Sequence, residues 1–305
     1  MITVGTFDGV HRGHWQVLDE VKQRAEARGA ASVLLTFHPH PLRIVHPEVA
    51  PRLLTTQLEK KEILAEAGLD YVVFLPFTPT LAAYSPREFV EEVLLARLQL
   101  CELVIGYDHG LGRGRSGDVA TLQRLGRELG FPVHVVPAVL LDGAPISSTR
   151  IRHALDQGDT AAAAAGLGRP YSLRGVVVRG EGRGKSLGFP TANLSVPEAD
   201  KLLPREGIYA VRALLREAAA QGVLHLGPRP TFAGSPPSVE LHLFDFDCDI
   251  YGEVVRVDFC ARIREVHAFA STAELVAAMQ EDCAAARRVF ASGGAACQVR
   301  AAPLD

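Results

Sequence analysis

His11 and His14 stand three residues apart in Thr3-Val4-Gly5-Thr6-Phe7-Asp8-Gly9-Val10-His11-Arg12-Gly13-His14, where a short strand runs through a glycine-rich bend into a helix. Glycines there let the backbone approach a ligand closely, and a helix N-terminus offers unpaired N–H groups at the positive end of its dipole. With the helix starting near His11, both imidazoles lie on one face at that anion-binding end, two donors for one phosphate. For either histidine alone, a surface position near a turn is the plainer reading. A second group, Pro145-Ile146-Ser147-Ser148-Thr149-Arg150-Ile151-Arg152, sets three hydroxyls before two arginines at a helix start. This is either a helix cap or the hydroxyl and guanidinium set that suits a triphosphate.

Farther on, Arg179-Gly180-Glu181-Gly182-Arg183-Gly184-Lys185-Ser186-Leu187-Gly188-Phe189-Pro190-Thr191-Ala192-Asn193-Leu194 is dense in glycine. Gly184-Lys185-Ser186 does not complete a GxxxxGK[ST] loop, because Arg179 occupies the first glycine position, so the chain is not a P-loop NTPase. By spacing alone the stretch is equally a flexible hairpin. Glu240, in Val239-Glu240-Leu241-His242-Leu243, sits in an alternating strand where a glutamate can simply face solvent. The histidines between His38 and His46 have no carboxylate or thiol at ligand spacing, which makes zinc a weak alternative.

The elements that must position these groups change character along the chain. Up to about Leu155, short β-branched or aromatic runs (32–37, 71–75, 103–106, 133–136) alternate with helical patterns (13–28, 59–67, 86–98, 119–129), which argues a parallel sheet with crossover helices. An alanine run, 161–165, reads as a short helix, and Gly166-Leu167-Gly168-Arg169-Pro170 as a hinge. Beyond it, alternating segments at 175–178, 208–211, 239–243 and 254–259 suggest a small β-barrel. A helix over 272–290 closes the pattern, with Ser271 as N-cap and Glu274 in capping-box position.

With 305 residues, 48% of them hydrophobic and 22% charged, the chain can bury a core and fits two domains. A net charge of −3 lacks the basic footprint of a nucleic-acid binder, while leaving room for a local phosphate cleft. The five cysteines never form a CxxC pair and read as reduced thiols. No apolar run approaches membrane-helix length and no signal segment opens the chain, which points to a cytoplasmic protein.

The first stretch resembles the GxFDGxHxGH signature of the nucleotidylyltransferase superfamily, in the form of flavin adenylyltransferases. Residues 147–152 are similar to that family's SSTRIR segment, and Phe37-His38-Pro39-His40-Pro41 to its FxPHP segment. Residues 104–118 resemble its GxDFxFGxxRxGD loop, with His109, Gly110 and Leu111 where Phe, a variable residue and Phe are usual. The glycine-dense stretch resembles the riboflavin kinase signature GxGRxLGFPTAN, with Lys185 for the usual Arg, and residues 240–252 resemble ExHLLDFxxDLYG. Residues 207–211, 226–232 and Arg264-Glu265 add to the match, and His225 replaces the usual Asn before Leu226-Gly227. In this order, over nearly the whole chain, the motifs resemble the bifunctional bacterial riboflavin kinase/FAD synthetase family.

That resemblance implies an α/β, Rossmann-like nucleotidylyltransferase domain over 1–165, a mainly β flavokinase-type barrel with a terminal helix over 166–290, and a disordered tail over 291–305. It implies ATP-dependent phosphorylation of riboflavin to FMN and adenylylation of FMN to FAD with release of pyrophosphate. Two alternatives stay open: a riboflavin kinase with a degenerate adenylyltransferase domain, and a flavin- or nucleotide-binding sensor. By the resemblance, His11, His14 and Glu240 are catalytic, Glu240 as the base for the ribityl 5′-hydroxyl. ATP and phosphate fall to Gly5, Phe7, Asp8, Gly9, Ser148, Thr149, Arg150, Gly180, Gly182, Lys185 and Gly188. Asp108 and Arg264 contact flavin, and Thr191 and Asn193 hold Mg²⁺ through oxygen donors. Partners are riboflavin, FMN and ATP, with no nucleic acid, no membrane and at most weak self-association.

Overall fold

The computed structural model describes residues 1–180, 184, 187–216, 218–228 and 238–293. They fall into two compact units, Met1–Ser148 and Thr149 onward. In the first, β1 (Ile2–Val4), β2 (Val33–His38), β3 (Tyr71–Pro76), β4 (Leu103–Gly106) and β5 (Val133–Val136) form a parallel sheet in the order β3-β2-β1-β4-β5. The intervening helices are α1 (Arg12–Ala27), α2 (Pro41–Val45), α3 (Gln57–Ala65), α4 (Pro79–Ala82), α5 (Pro86–Phe89), which runs on as a π-helical stretch Val90–Leu95, and α6 (Val119–Leu129).

The strands read as unbroken apolar runs because both sheet faces are covered. On β4, Leu103 and Ile105 pack on one side with Phe89, Leu94 and Leu122, while Val104 packs on the other with Leu18, Val21 and Leu64. This is the α/β arrangement expected. Helix α3 starts at Gln57, ahead of the expected 59, because Thr56 caps it: its hydroxyl accepts from Glu59 N at 3.2 Å and the Glu59 carboxylate from Thr56 N at 2.9 Å. A hairpin of β6 (Leu140–Leu141) and β7 (Ala144–Pro145) precedes α7 (Ser148–Asp156).

In the second unit, β8 (Tyr171–Val178), β9 (Ala192–Ser195), β10 (Gly207–Leu214), β11 (Ala219–Gly227), β12 (Ser238–Leu243) and β13 (Val254–Arg264) close an antiparallel barrel in the order β10-β11-β12-β9-β8-β13. Helix α8 (Thr160–Leu167), the alanine run, packs on β8 and β13, so packing divides the chain at 148/149, ahead of the expected 165/166. Helix α9 (Thr272–Ala291) lies on the outer barrel face, where Cys283, Ala286 and Phe290 meet Ile208, Ala210, Val223 and Phe244. Ser271 caps it by accepting from Glu274 N at 3.2 Å, as expected, but the Glu274 carboxylate accepts from Ala270 N at 3.1 Å instead of closing the box. From residue 294 the expected tail lies outside the described residues.

Cys101, Cys248 and Cys283 are free, whereas Cys260 is disulfide-bonded, against the expectation of reduced thiols throughout. Sequence spacing does not disclose such pairing, which depends on tertiary approach. Among the described residues no helix is long and apolar enough to cross a membrane.

Candidate active sites

From β1 the chain winds outward through β2 and β3, and from β4 the other way through β5, so the order reverses between β1 and β4. The crevice outside the carboxyl ends of two such strands is where doubly wound sheets take ligands. β1 feeds residues 5–11 and α1 into it, and β4 feeds residues 107–118.

At the start of α1, His11 is the N-cap, and the two histidines cap each other: His14 N donates to His11 Nδ1 and His11 N to His14 Nδ1, each at 3.3 Å. Their rings stack at 3.6 Å and 14°. Since each Nδ1 accepts a backbone N–H, each neutral imidazole carries its proton on Nε2. The structure thus brings the expected pair together at a positive helix end, with like tautomers.

The neighbouring bend serves largely as scaffold. Phe7, 4% exposed, packs its ring against His14 at 4.6 Å, and a Cβ on Gly5 would lie 2.9 Å from that ring. The Asp8 carboxylate, 2% exposed, accepts from Leu54 N and Thr55 N, both at 3.1 Å, and from Thr55 Oγ1 at 3.3 Å. Gly9, at φ +79°, donates its N–H to Thr55 Oγ1 at 3.1 Å. Asp8 and Gly9, expected with Phe7 to meet phosphate, here pin the bend to residues 54–55; a carboxylate turned inward also spares a phosphate its repulsion. Ser148 donates its hydroxyl to the Asp8 carbonyl at 2.9 Å, bringing the first residue of α7 to the bend. Thr149 and Arg150 follow in the first turn of α7.

Sequence reasoning missed Lys60. Only 8% exposed, it donates from Nζ to the Thr6 carbonyl at 2.7 Å, which places an amino group under the bend. Burial pushes its pKa down, and the Asp8 carboxylate opposes that. The Thr56-x-x-Glu59 capping spacing announces the helix, but nothing local announces that Lys60 is buried.

In the second segment Asp108 is exposed and its carbonyl accepts from Arg115 Nη2 at 3.1 Å. His109, in the position where phenylalanine is usual, is pushed down to about 4, by burial first and then by the Arg115 charge. It is a neutral ring at neutral pH. Its Nε2 is buried without a hydrogen-bond partner among the described residues. Asp118 caps α6 by accepting from Thr121 N at 2.8 Å, which lowers its pKa.

The second unit holds a cavity between the outer barrel face and α9. Its apolar walls include Leu187, Phe189, Val266, Phe269 and Met279, and its polar groups include Glu240, His225, His242, Thr191, Arg264 and Asp282. Few polar groups in an apolar slot suit a flat organic ring. On β11 and β12, Leu224, Leu226, Leu241 and Leu243 are buried while His225, Glu240 and His242 alternate with them on the cavity side. Register sets His225 opposite Glu240, and Glu240 opposite Asn193 on β9. Ser238 Oγ donates to Glu240 Oε1 at 2.8 Å.

A Cβ on Gly180 would lie 1.9 Å from Asn193 Nδ2, and one on Gly184 would lie 2.8 Å from Thr191 Oγ1 and 2.4 Å from the Phe189 carbonyl. Glycine at both positions keeps room beside the Thr191 hydroxyl and the Asn193 amide. Gly188 takes φ +83° in the same loop, and Gly182 and Lys185 lie outside the described residues. No group of three or more His, Cys, Asp or Glu that could hold a metal assembles among the described residues. Thr191 and Asn193 do fit a hard cation that takes its remaining oxygens from phosphate. Arg264, expected to contact flavin, is held by Asp282 of α9 through Nε–Oδ1 and Nη2–Oδ2 contacts of 2.7 Å each, and lines the cavity from there.

Residues 1–150 match the FAD synthetase family model and residues 167–290 the riboflavin kinase model. An Escherichia coli (strain K12) protein named bifunctional riboflavin kinase/FMN adenylyltransferase is 38% identical over 291 residues, covering 95% of this chain and 92% of its own. The chain belongs to the bifunctional riboflavin kinase/FMN adenylyltransferase family. A member from Bacillus subtilis (strain 168) is 33% identical over 297 residues, 96% of this chain and 93% of that one. A Streptococcus pneumoniae crystal structure described as a macrolide-efflux protein shares the fold at a TM-score of 0.83, with 30% identity over 92% of this chain and 91% of that one. The first matched region contains the histidine pair and the second contains the Glu240 cavity.

Proposed function

We infer that this chain makes both flavin cofactors, phosphorylating riboflavin to FMN at the barrel and adenylylating FMN to FAD at the α/β unit, with ATP as co-substrate of each. The observation that carries this reading is that each unit holds a site suited to its own step. A stacked, capped histidine pair sits at a helix N-terminus in one, and a carboxylate in an apolar cavity in the other.

At the barrel, Glu240 takes the proton of the ribityl 5′-hydroxyl as its oxygen bonds to the ATP γ-phosphorus, and the bond to the bridging oxygen breaks to release ADP. Ser238 steadies the carboxylate from the side. Thr191 and Asn193 hold Mg²⁺, which when bound neutralises phosphate charge. Gly180 and Gly188 meet the ATP phosphates, and the resemblance gives Gly182 and Lys185 the same role. Arg264, with Asp282, fixes the cavity wall against which the flavin ring lies.

At the α/β unit, an FMN phosphate oxygen attacks the ATP α-phosphorus and pyrophosphate leaves, with no covalent enzyme intermediate. The Nε2–H groups of His11 and His14 and the N-terminus of α1 stabilise charge on the α-phosphate. Ser148, Thr149 and Arg150 take the β- and γ-phosphates, and Asp108 and its loop take the flavin. Gly5, Phe7, Asp8 and Gly9 act through the shape of the bend. The chain works in the cytoplasm, where both substrates and ATP are found.

Chromatography of products after incubation with riboflavin, ATP and Mg²⁺, repeated from FMN, tests this. FAD is expected from both starting flavins. FMN accumulating with no FAD from either would leave a kinase alone, and no product from either would leave a sensor.

A further inference from the structure

The kinase cavity contains a histidine that the reaction above does not use. His225 on β11 is the direct ladder partner of Glu240 on β12, and both line the cavity. Directly opposed residues of an antiparallel pair share a face, with Cβ atoms about 4.5–5.5 Å apart. At that spacing a side-chain rotation is enough to bring an imidazole and a carboxylate together. Ser238 holds Oε1 of Glu240 from along β12, Asn193 stands opposite Glu240 on β9, and His225 stands opposite it on β11.

We propose that His225 is a positioning residue for Glu240, its neutral imidazole steadying the base and its protonated form pairing with the carboxylate and withdrawing it from the substrate hydroxyl. This rests on Glu240 being the kinase base. Once charged, His225 would hold the carboxylate as an ion pair, and a carboxylate so held is a poorer acceptor for a hydroxyl proton. FMN formation then fails as His225 charges, in the histidine range. The other ionisable groups around the cavity are His242 on β12, Arg264 at the end of β13, His267 beyond it, and Asp282 and Cys283 on α9. Arg264 and Asp282 are paired with each other, and a ring nitrogen of His242 sits 2.8 Å from the Pro190 carbonyl. Neither stands across the ladder from Glu240.

The test compares pH profiles of kcat/KM for FMN formation in the full chain and in His225→Asn, each normalised to its own plateau, with FAD formation from supplied FMN as the folding control. The acid limb is expected to move down in His225→Asn, leaving the normalised activity about tenfold above wild type near pH 5.5. In parallel, the His225 ring is titrated by NMR in wild type and in Glu240→Gln, where loss of the carboxylate is expected to lower its pKa. An unmoved limb together with an unmoved titration overturns the proposal. Glu240→Gln also separates the two readings. If it still forms FMN, the base assignment fails and the proposal with it; if it is inactive while His225 proves uncoupled, only the proposal falls.

Discussion

His109 ionises at about 4, because burial and the nearby Arg115 both oppose its charge. In the unfolded chain it would ionise near the usual 6.5. Below that pH the unfolded state binds the extra proton, so His109 costs stability progressively as pH falls from 6.5 towards 4 and no further below it. The full linkage is about 3 kcal/mol. Its Nε2 adds the cost of a buried polar atom with no partner among the described residues. His109→Phe keeps a ring of similar shape and removes both effects. The first unit is expected to gain about 1 kcal/mol at pH 7 and about 3 kcal/mol at pH 5 in urea unfolding, with FAD formation retained. An unchanged difference between the two pH values would show that the ring is not held neutral by the fold.

Helix α9 is anchored to the barrel by apolar contacts and by one buried ion pair, Arg264 with Asp282. Asp282→Ala leaves the Arg264 cation without its partner in a largely buried setting, a change that typically costs about 3 kcal/mol. The barrel unit is expected to melt earlier, and KM for riboflavin to rise more than kcat falls, because α9 forms one wall of the cavity. Equal losses in KM and kcat would mean that the pair acts on chemistry and not on the wall. The helix itself was legible from its periodicity and from Ser271, since both signals are local. The strand β9 was not: Ala192-Asn193-Leu194-Ser195 ends a glycine-dense stretch that reads equally as a flexible hairpin, and becomes strand only because β8 and β12 flank it. β11 begins Ala219-Ala220-Gln221-Gly222, residues of low strand preference, and is likewise fixed by its neighbours. In the first site the histidine pair was legible because three residues of helix suffice to bring it together. The inward turn of Asp8 was not, since Thr55 lies 47 positions away along the chain.

At the scale of the whole chain, His14 and Glu240 lie in different units, each with its own buried core, so truncating either side chain leaves the packing of the other unit untouched. His14→Ala removes one of two stacked donors and the reciprocal cap on His11; FAD formation from FMN is expected to fall about 10²-fold or more, with FMN formation from riboflavin unchanged. Glu240→Ala removes the base, and FMN formation is expected to fall about 10²–10⁴-fold while FAD formation from supplied FMN persists. Loss of both activities in either folded variant would mean that the two sites are coupled through the chain. Because each variant retains the step the other lacks, mixing the two is expected to restore conversion of riboflavin to FAD through released FMN. A mixture that fails while both half-reactions proceed separately would mean instead that FMN must pass between the two sites of a single chain.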